Sequence, residues 1–287
     1  MREGLKNKID YSIDLIRKCE SMALQYDAEN GFALAFSGGK DSQVLYHIAK
    51  MAGVKFKAHM CLTSVDPGEV IRFVKRCYPD VLLIKPKMSI YSMAKKKGVL
   101  PTRRMRWCCQ EYKEFAGAGK VTLIGIRKEE SSRRSKREEI ATTDRKFSGN
   151  LDQFNIYQET TITCVGGKDG ILVSPIIYWT EKDVWEFLNE YNIEHCSLYD
   201  KGRTRIGCIL CPMASTKNKN RDIKEFPHVV QKWKETIQWL HDNKCKDYNL
   251  NINEAFNWWI SGNSFAQFYA DEIQQQKIDF GNEHSNI

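Results

Sequence analysis

The sequence predicts an α/β fold built on a doubly wound parallel sheet, with an N-terminal helix before it and a helical C-terminal extension after it. Short apolar runs alternate with helical patterns from residue 31 to residue 126, which is typical of successive βαβ units. The composition, with 42% hydrophobic and 28% charged residues, is that of an ordinary globular protein. A chain of 287 residues fits one large domain, or one α/β core with a smaller appendage.

The N-terminal helix is predicted over residues 3–28, where Leu5, Ile9 and Ile16 recur at helical spacing. The core is then predicted to alternate strands and helices, in the order strand 32–36, helix 43–51, strand 56–62, helix 67–77, strand 81–84, helix 90–97 and strand 121–126. From Arg221 onward the chain has helical periodicity, and we expect its tryptophans to pack between helices rather than to stack on bases. These patterns divide the chain into three predicted parts, residues 1–30, 31–215 and 216–287.

Residues 127–150 interrupt this alternation with a charged stretch that contains Ser and Thr and has no apolar periodicity. Because the stretch directly follows a predicted strand, we interpret it as a mobile lid over an anionic ligand, with a disordered surface loop as the alternative. A strand is predicted near Ile156–Tyr157, and a second short strand over residues 171–175. Thr180 and Asp183 have capping-box spacing and predict the start of the next helix.

The net charge of +8 indicates an anionic partner such as a nucleotide, a nucleic acid or a sulfated molecule, although solvated basic faces would give the same excess. No apolar run approaches the ~18–20 residues that a membrane span requires. The first twelve residues lack the apolar region of a signal peptide. We therefore expect a cytoplasmic protein without a membrane partner, and the sequence leaves the oligomeric state open.

A glycine-rich loop lies between the first predicted core strand and the following helix. Its two glycines allow a tight turn that presents backbone N–H groups to an anion, and the positive N-terminal end of the helix adds to that field. The loop differs from a Walker A sequence because Lys40 is followed by Asp41. The predicted phosphate-binding residues are Ser37, Gly38, Gly39, Lys40, Asp41 and Ser42.

Two pairs stand apart among the ten cysteines: the adjacent Cys108 and Cys109, and Cys208 with Cys211 in a C-x-x-C spacing. The C-x-x-C spacing lets two thiolates reach one centre, whereas adjacent cysteines suit a cluster that is met from two directions. Four thiolates therefore allow a [4Fe–4S] cluster or an all-cysteine zinc site. Unrelated buried cysteines are the remaining alternative.

These motifs resemble those of known families. The loop is similar to that of the PP-loop nucleotide-binding proteins, the ATP pyrophosphatase-like group with a HUP-like (adenine nucleotide alpha hydrolase-like) parallel sheet. With further motifs in one order over residues 31–212, the chain resembles the phosphoadenosine/adenosine phosphosulfate reductase (PAPS/APS reductase) family. The motifs that carry this resemblance are Asp66-Pro-Gly68, Cys108-Cys-Gln-Glu-Tyr-Lys113, Gly125-Ile-Arg127 with Ser131-Ser-Arg-Arg134, Ser174-Pro-Ile-Ile-Tyr-Trp179, Leu198-Tyr-Asp-Lys-Gly202 and Ile206-Gly-Cys208-Ile-Leu-Cys211.

The resemblance implies an adenine nucleotide ligand, which is ATP, adenosine phosphosulfate or its 3′-phosphorylated form, with Mg²⁺ as a further candidate. It places Asp66 near the nucleotide and lets Lys113, Arg127 and Arg134 counter its anionic groups. Lys40, Asp41 and Arg127 are the implied catalytic residues. The four paired cysteines resemble the branch of the family that carries a [4Fe–4S] cluster, which favours iron–sulfur over zinc.

Reductases of this family use a thiolate in a C-terminal Glu-Cys-Gly segment, whereas this chain has no cysteine after Cys245. The first hypothesis is therefore an enzyme that adenylates a target with ATP, releases pyrophosphate and delivers sulfur to a nucleic-acid or sulfur-carrier acceptor. The second is a sulfonucleotide reductase that makes sulfite, with thioredoxin as reductant and Cys245 or a partner's thiol as nucleophile. The third is a nucleotide-binding sensor or scaffold without turnover.

Overall fold

The computed structural model describes residues 1–113, 116–143, 148–153, 170–244, 251–264 and 267–268. It separates into two units. The first comprises residues 1–62, 66–86 and 110–207, and the second comprises residues 63–65, 87–109 and 208–287.

The first unit contains a seven-stranded sheet, counted over the described residues, in the order β3-β2-β1-β4-β7-β5-β6. Its strands are β1 (Phe32–Ala35), β2 (Phe56–Cys61), β3 (Leu82–Ile84), β4 (Val121–Leu123), β5 (Ile140–Thr142), β6 (Ser148–Gly149) and β7 (Ile171–Val173). The pairs from β3 through β7 are parallel, whereas β5 is antiparallel to both β7 and β6. The predicted α/β fold class is confirmed.

Strand β1 lies between β2 and β4, with Leu34 opposite Ala58 on one side and Leu123 on the other. Phe32, Leu34 and Leu123 are fully buried, because helices cover the parallel sheet. The chain leaves β1 toward one neighbour and reaches β4 only later, so the strand order reverses at this point. Open α/β sheets bind ligands at the carboxyl ends of the strands beside such a reversal. The loop after β1 and the segment after β4 both begin there.

The helices of the described residues occupy most of the positions that the sequence pattern predicts. They are α1 (Glu3–Lys18), α2 (Glu20–Tyr26), α3 (Lys40–Ala52), α4 (Gly68–Cys77), α5 (Ile90–Lys97), α6 (Trp107–Tyr112), α7 (Ser132–Ser135), α8 (Glu181–Glu190), α9 (Thr216–Glu225), α10 (Pro227–Lys244) and α11 (Ile252–Ser261). The capping box predicted at Thr180 is present, since Thr180 Oγ1 accepts from the Asp183 N–H and Asp183 accepts from the Thr180 N–H. None of the described helices is both long and apolar enough to span a membrane.

Three expectations need correction. The predicted N-terminal helix is divided at Cys19, whose N–H is shared between the carbonyls of Leu15 and Ile16. The sheet is not wholly parallel, because β5 and β6 form an antiparallel edge. These two strands lie in the segment 127–150, which was interpreted as a mobile lid with a disordered surface loop as the alternative. The same segment also contains a 3₁₀ turn and α7, so its described residues are not a disordered loop. Ile140 of β5 is fully buried. A single apolar residue has no periodicity, so the sequence pattern could not predict this strand. The strand predicted near 156–157 lies outside the described residues.

The second unit is helical. Its core is aromatic: the Trp233 ring of α10 lies 4.9 Å from Tyr91 of α5 and 4.7 Å from Trp259 of α11, measured between centroids. Trp259 Nε1 donates to the Pro101 carbonyl at 2.7 Å. Trp233 and Trp259 are buried, which confirms that these tryptophans pack between helices.

Candidate functional site

The loop that joins β1 to α3 requires glycine at position 38. Gly38 has a φ of +73°, and a Cβ on it would lie 2.7 Å from Val70 Cγ1 and 2.9 Å from Val74 Cγ2 of α4. A side chain there would therefore meet both a disfavoured backbone conformation and a steric clash. The tight turn at Gly38 lets α3 begin at Lys40, a few residues after the end of β1.

Hydroxyl groups hold the loop in this shape. Ser42 Oγ accepts from the Ser37 N–H at 3.2 Å and donates to the Gly39 carbonyl at 2.8 Å. Ser42 is buried, whereas Ser37 is exposed, and the Ser37 hydroxyl donates to Ser42 Oγ at 3.1 Å and accepts from the Gly39 N–H at 3.4 Å. The N–H of Lys40, the first residue of α3, donates to Tyr199 Oη at 2.8 Å. These contacts hold the loop in a preformed shape at a helix N-terminus, which is a common anion site.

The Lys40 side chain is almost fully buried, and one backbone carbonyl and two carboxylates surround its ammonium group. Nζ donates to the Thr204 carbonyl at 3.0 Å, and it lies 3.5 Å from Glu181 Oε1 and 3.7 Å from Asp41 Oδ2. A buried cation is stable only when its charge is compensated, and these two carboxylates compensate it. The ammonium therefore lies beside the loop in a fixed position.

Arg127 follows β4, and its buried side chain contacts Asp41 of α3. Its Nε donates to Asp41 Oδ1 at 2.6 Å, and its Nη1 donates to Glu129 Oε2 at 2.8 Å. Burial alone would lower the pKa of Arg127, but the charges and hydrogen bonds of these carboxylates raise it. Glu129 Oε2 also accepts from the Glu181 N–H at 2.5 Å. The resemblance assigns Arg127 to an anionic ligand, and the structure shows it bound to carboxylates of the protein.

Arg134 likewise has an internal partner, since its guanidinium pairs with Glu130 one helical turn away. Asp66 and Lys113 belong to the same unit, and both lie within electrostatic range of the Cys61 thiol at the end of β2. Burial raises the pKa of Cys61 to about 11, Lys113 opposes this rise and Asp66 adds to it. All of the predicted nucleotide-binding residues therefore belong to the first unit. Within it, ion pairs link Lys40, Asp41 and Arg127 in one charged network.

The four-cysteine group, Cys108, Cys109, Cys208 and Cys211, lies within the second unit. A hydrogen bond from the Cys108 thiol to Cys109, burial, and the charges of Cys109, Cys211 and Cys208 all raise the pKa of the Cys108 thiol. Thr63 Oγ1 donates to Cys208 Sγ at 3.4 Å, and Arg106 Nη2 donates to Cys109 Sγ at 3.3 Å. Four sulfur donors that interact with one another, with a cation beside them, are chemically suited to an iron–sulfur cluster or zinc. Over the described part of the chain, no three His, Cys, Asp or Glu side chains are arranged to hold a single metal ion.

Sequence reasoning missed three polar partners of the loop. Tyr199 belongs to the Leu198–Gly202 motif, but the sequence did not indicate that its hydroxyl accepts from the Lys40 N–H. Thr204 accepts from Lys40 Nζ through its backbone carbonyl, and a pattern of side chains cannot reveal such a contact. Glu181 lies in the first turn of α8, where an acidic residue is common and gives no signal of a contact with Lys40. Cys245, the candidate nucleophile of the reductase hypothesis, lies outside the described residues.

The model of the phosphoadenosine phosphosulfate reductase domain family matches residues 31–214. An uncharacterized protein of Methanocaldococcus jannaschii is 28% identical over 214 residues, which cover 71% of this chain and 47% of that protein. A protein of Bacillus cereus named adenosine 5′-phosphosulfate reductase is 26% identical over 64% of this chain and 74% of its own length. The chain spans about half the length of the archaeal relatives it matches.

Among solved structures, FMN adenylyltransferase of Candida glabrata matches with a TM-score of 0.44 and 16% identity, over 71% of this chain and 63% of that one. The phosphoadenylyl-sulfate reductase of Candida auris matches with a TM-score of 0.40 and 18% identity, over 68% of this chain and 93% of that one.

Proposed function

Because the chain belongs to the phosphoadenosine phosphosulfate reductase family, which matches residues 31–214, we propose that it binds MgATP and transfers the adenylyl group to a target that then receives sulfur. Family membership supports nucleotide binding and a role in sulfur metabolism at a general level. The charges around the Ser37–Ser42 loop support the choice of ATP among the nucleotides of this family.

The observation that carries this proposal is the set of carboxylates beside the phosphate loop. Asp41 and Glu181 contact the Lys40 ammonium, and Glu129 contacts Arg127. Carboxylates repel a bare phosphosulfate, but one or two of them together with substrate phosphates are the usual ligands of Mg²⁺. A magnesium-bound triphosphate therefore suits these charges better than a metal-free sulfonucleotide does.

The proposed reaction is an in-line displacement at phosphorus. A nucleophilic oxygen of the target attacks the α-phosphorus of ATP, the bond to the bridging oxygen of the β-phosphate breaks, and pyrophosphate leaves with the electron pair of that bond. When a separate donor then delivers sulfide-level sulfur to the activated target, AMP is the leaving group. The α3 amides and the Ser37 hydroxyl would hold phosphate oxygens, and Lys40 would stabilise the charge that develops on the leaving pyrophosphate. Arg127 is a positioning residue, because it orients Asp41.

The four-cysteine group would hold the [4Fe–4S] cluster of the proposal, with zinc as the alternative occupant. When bound, an iron–sulfur cluster supplies electron transfer to its surroundings. The neighbouring thiols raise the pKa of Cys108, so its deprotonation as a ligand requires a cationic centre. The Arg106 guanidinium, which donates to the Cys109 sulfur, adds positive charge beside the group.

The reductase function of the Bacillus cereus relative is the second candidate, since that protein is named adenosine 5′-phosphosulfate reductase. The two functions differ in which nucleotide the loop accepts and in whether magnesium is needed. A sulfonucleotide reductase would release sulfite from adenosine phosphosulfate and would have no use for ATP.

Calorimetric titration of the protein with ATP and with adenosine phosphosulfate, each with Mg²⁺ and with EDTA, tests the proposal. We expect ATP to bind more tightly than adenosine phosphosulfate, and removal of Mg²⁺ to weaken ATP binding by roughly tenfold or more. Lys40→Ala should lose ATP binding by about 10²-fold, since it removes a charge-assisted contact in a buried site.

Lys50→Ala is the matched control, because Lys50 lies on the same helix but is half-exposed, 3.8 Å from Asp80. It should bind ATP like the unchanged protein. Tight binding of adenosine phosphosulfate with no effect of magnesium would overturn the proposal and favour the reductase.

A further inference from the structure

Residues 87–109 of the second unit carry a concentration of positive charge that the proposed nucleotide chemistry does not use. This stretch of the chain contains seven Lys and Arg and no Asp or Glu. Its six exposed basic side chains, termed here the basic surface, are Lys87, Lys96, Lys97, Arg103, Arg104 and Arg106. The described residues of the whole second unit contain fourteen Lys and Arg against five Asp and Glu, so neighbouring elements do not offset the excess.

The charges of the basic surface are presented to solvent. Lys87, Lys96 and Arg104 are exposed, and over the described ranges no carboxylate lies within ion-pair distance of them. The end of α5 lies close to Lys244, the last residue of α10: a Cβ built on Gly98 would be 3.7 Å from Lys244 Cγ. Lys244 therefore extends the basic surface onto α10. A cluster of exposed basic side chains of this kind attracts a polyanion over several ångströms.

The composition of the surface separates a nucleic acid from the other polyanions. A helix that binds an anionic membrane exposes large apolar side chains beside its lysines. Within residues 87–109 Met105 is the one large apolar side chain that the structure shows as exposed, whereas Trp107 is buried. Arginine forks and scattered lysines without intervening carboxylates match the regular phosphates of a nucleic-acid backbone.

The basic surface lies next to the four-cysteine group in the sequence. Arg103, Arg104 and Arg106 immediately precede Cys108 and Cys109, and Arg106 contacts the Cys109 sulfur. A polymer held by these arginines would lie beside the four-cysteine group. By contrast, two arginines of the segment 127–150, which the sequence suggested as a phosphate-binding lid, are paired with carboxylates.

We propose that the basic surface of residues 87–109 binds the phosphodiester backbone of a nucleic acid and presents that polymer to the four-cysteine group. Binding is largely independent of base sequence, because backbone contacts position a nucleic acid without specifying it. The interaction does not require ATP cleavage, so it stands or falls separately from the nucleotide chemistry.

Fluorescence anisotropy of labelled oligonucleotides of about 30 nucleotides, as duplex DNA, single-stranded DNA and RNA, tests the surface over a salt series. The variant Lys87→Gln, Lys96→Gln, Arg104→Gln should lose at least about tenfold in affinity, and its slope of log affinity against log salt should fall by about 2 to 3. The three probes distinguish a DNA partner from an RNA partner.

The matched control removes three exposed lysines from the first unit, Lys6→Gln, Lys18→Gln and Lys57→Gln, and changes the net charge by the same amount. It should retain affinity within about twofold, and both variants should bind MgATP like the unchanged protein. Equal losses in the two variants, no binding of any probe at low salt, or binding to phosphatidylserine vesicles in place of the oligonucleotides would each overturn the proposal.

Discussion

Gly38 shows how one residue fixes the phosphate loop. Its positive φ could be anticipated from the Gly-Gly sequence, but the contact with Val70 and Val74 depends on how α4 packs and has no signal in the sequence. The same limit applies to Arg127. Its type and position were predicted, whereas its partners Asp41 and Glu129 are visible only in the folded chain.

Replacing Gly38 by alanine should destabilise the protein by more than the ~1–2 kcal/mol of a left-handed backbone alone, because the new Cβ also clashes with α4. MgATP affinity should fall with it. Gly53→Ala is the control, since Gly53 has a φ of +72° but open space around it. Urea unfolding and calorimetry measure the two quantities, and an equal loss of stability in both variants would show that the clash with Val70 is unimportant.

At the level of elements, the strand–helix alternation predicted most of the first unit because parallel strands buried on both faces are short apolar runs. The antiparallel edge was missed because β5 and β6 are only three and two residues long. Contacts between elements were also beyond the sequence. One of these is the ion pair that joins the end of α2 to the start of β4, where Lys120 Nζ lies 2.7 Å from Asp27 Oδ2.

The hydrogen bond from Lys120, with further ones from Asn30, lowers the pKa of Asp27 to about 2. Since the folded pKa is below the unfolded value, the stabilisation is complete above about pH 4 and disappears as the pH falls toward 2. Asp27→Asn should therefore lower the free energy of unfolding by about 1 kcal/mol at pH 7, since solvent screens this partly exposed ion pair, and by almost nothing at pH 2. Urea unfolding at several pH values measures this, with the exposed Asp14→Asn as control. A loss that does not change with pH would contradict the assignment.

For the whole molecule, the family match ends at residue 214, and residues 216–261 contribute three helices to the second unit. The spacing of the cysteines in the sequence singled out Cys108, Cys109, Cys208 and Cys211, which all lie in the second unit. The sequence contains no signal that residues 87–109 belong with the C-terminal helices, because that grouping depends on aromatic packing among α5, α10 and α11.

Iron analysis of anaerobically reconstituted protein tests the metal assignment. Cys108→Ser and Cys208→Ser should each lose most of the bound iron and its visible absorbance, because each removes one of four thiolate ligands. Cys77→Ser should keep both, since Cys77 lies in the first unit beside Glu194. Unchanged iron content in the first two variants would show that the cysteines do not bind the cluster, and zinc in place of iron would identify the alternative occupant.

Product analysis tests the central claim most directly. The iron-reconstituted protein would be incubated anaerobically with radiolabelled ATP, Mg²⁺ and nucleic acid, and separately with adenosine phosphosulfate or its 3′-phosphorylated form and a thioredoxin system. We expect pyrophosphate and an adenylylated product or AMP from ATP, dependent on Lys40, and no catalytic release of sulfite. Sulfite formed over many turnovers, with ATP left intact, would contradict the proposed function and identify the chain as a sulfonucleotide reductase.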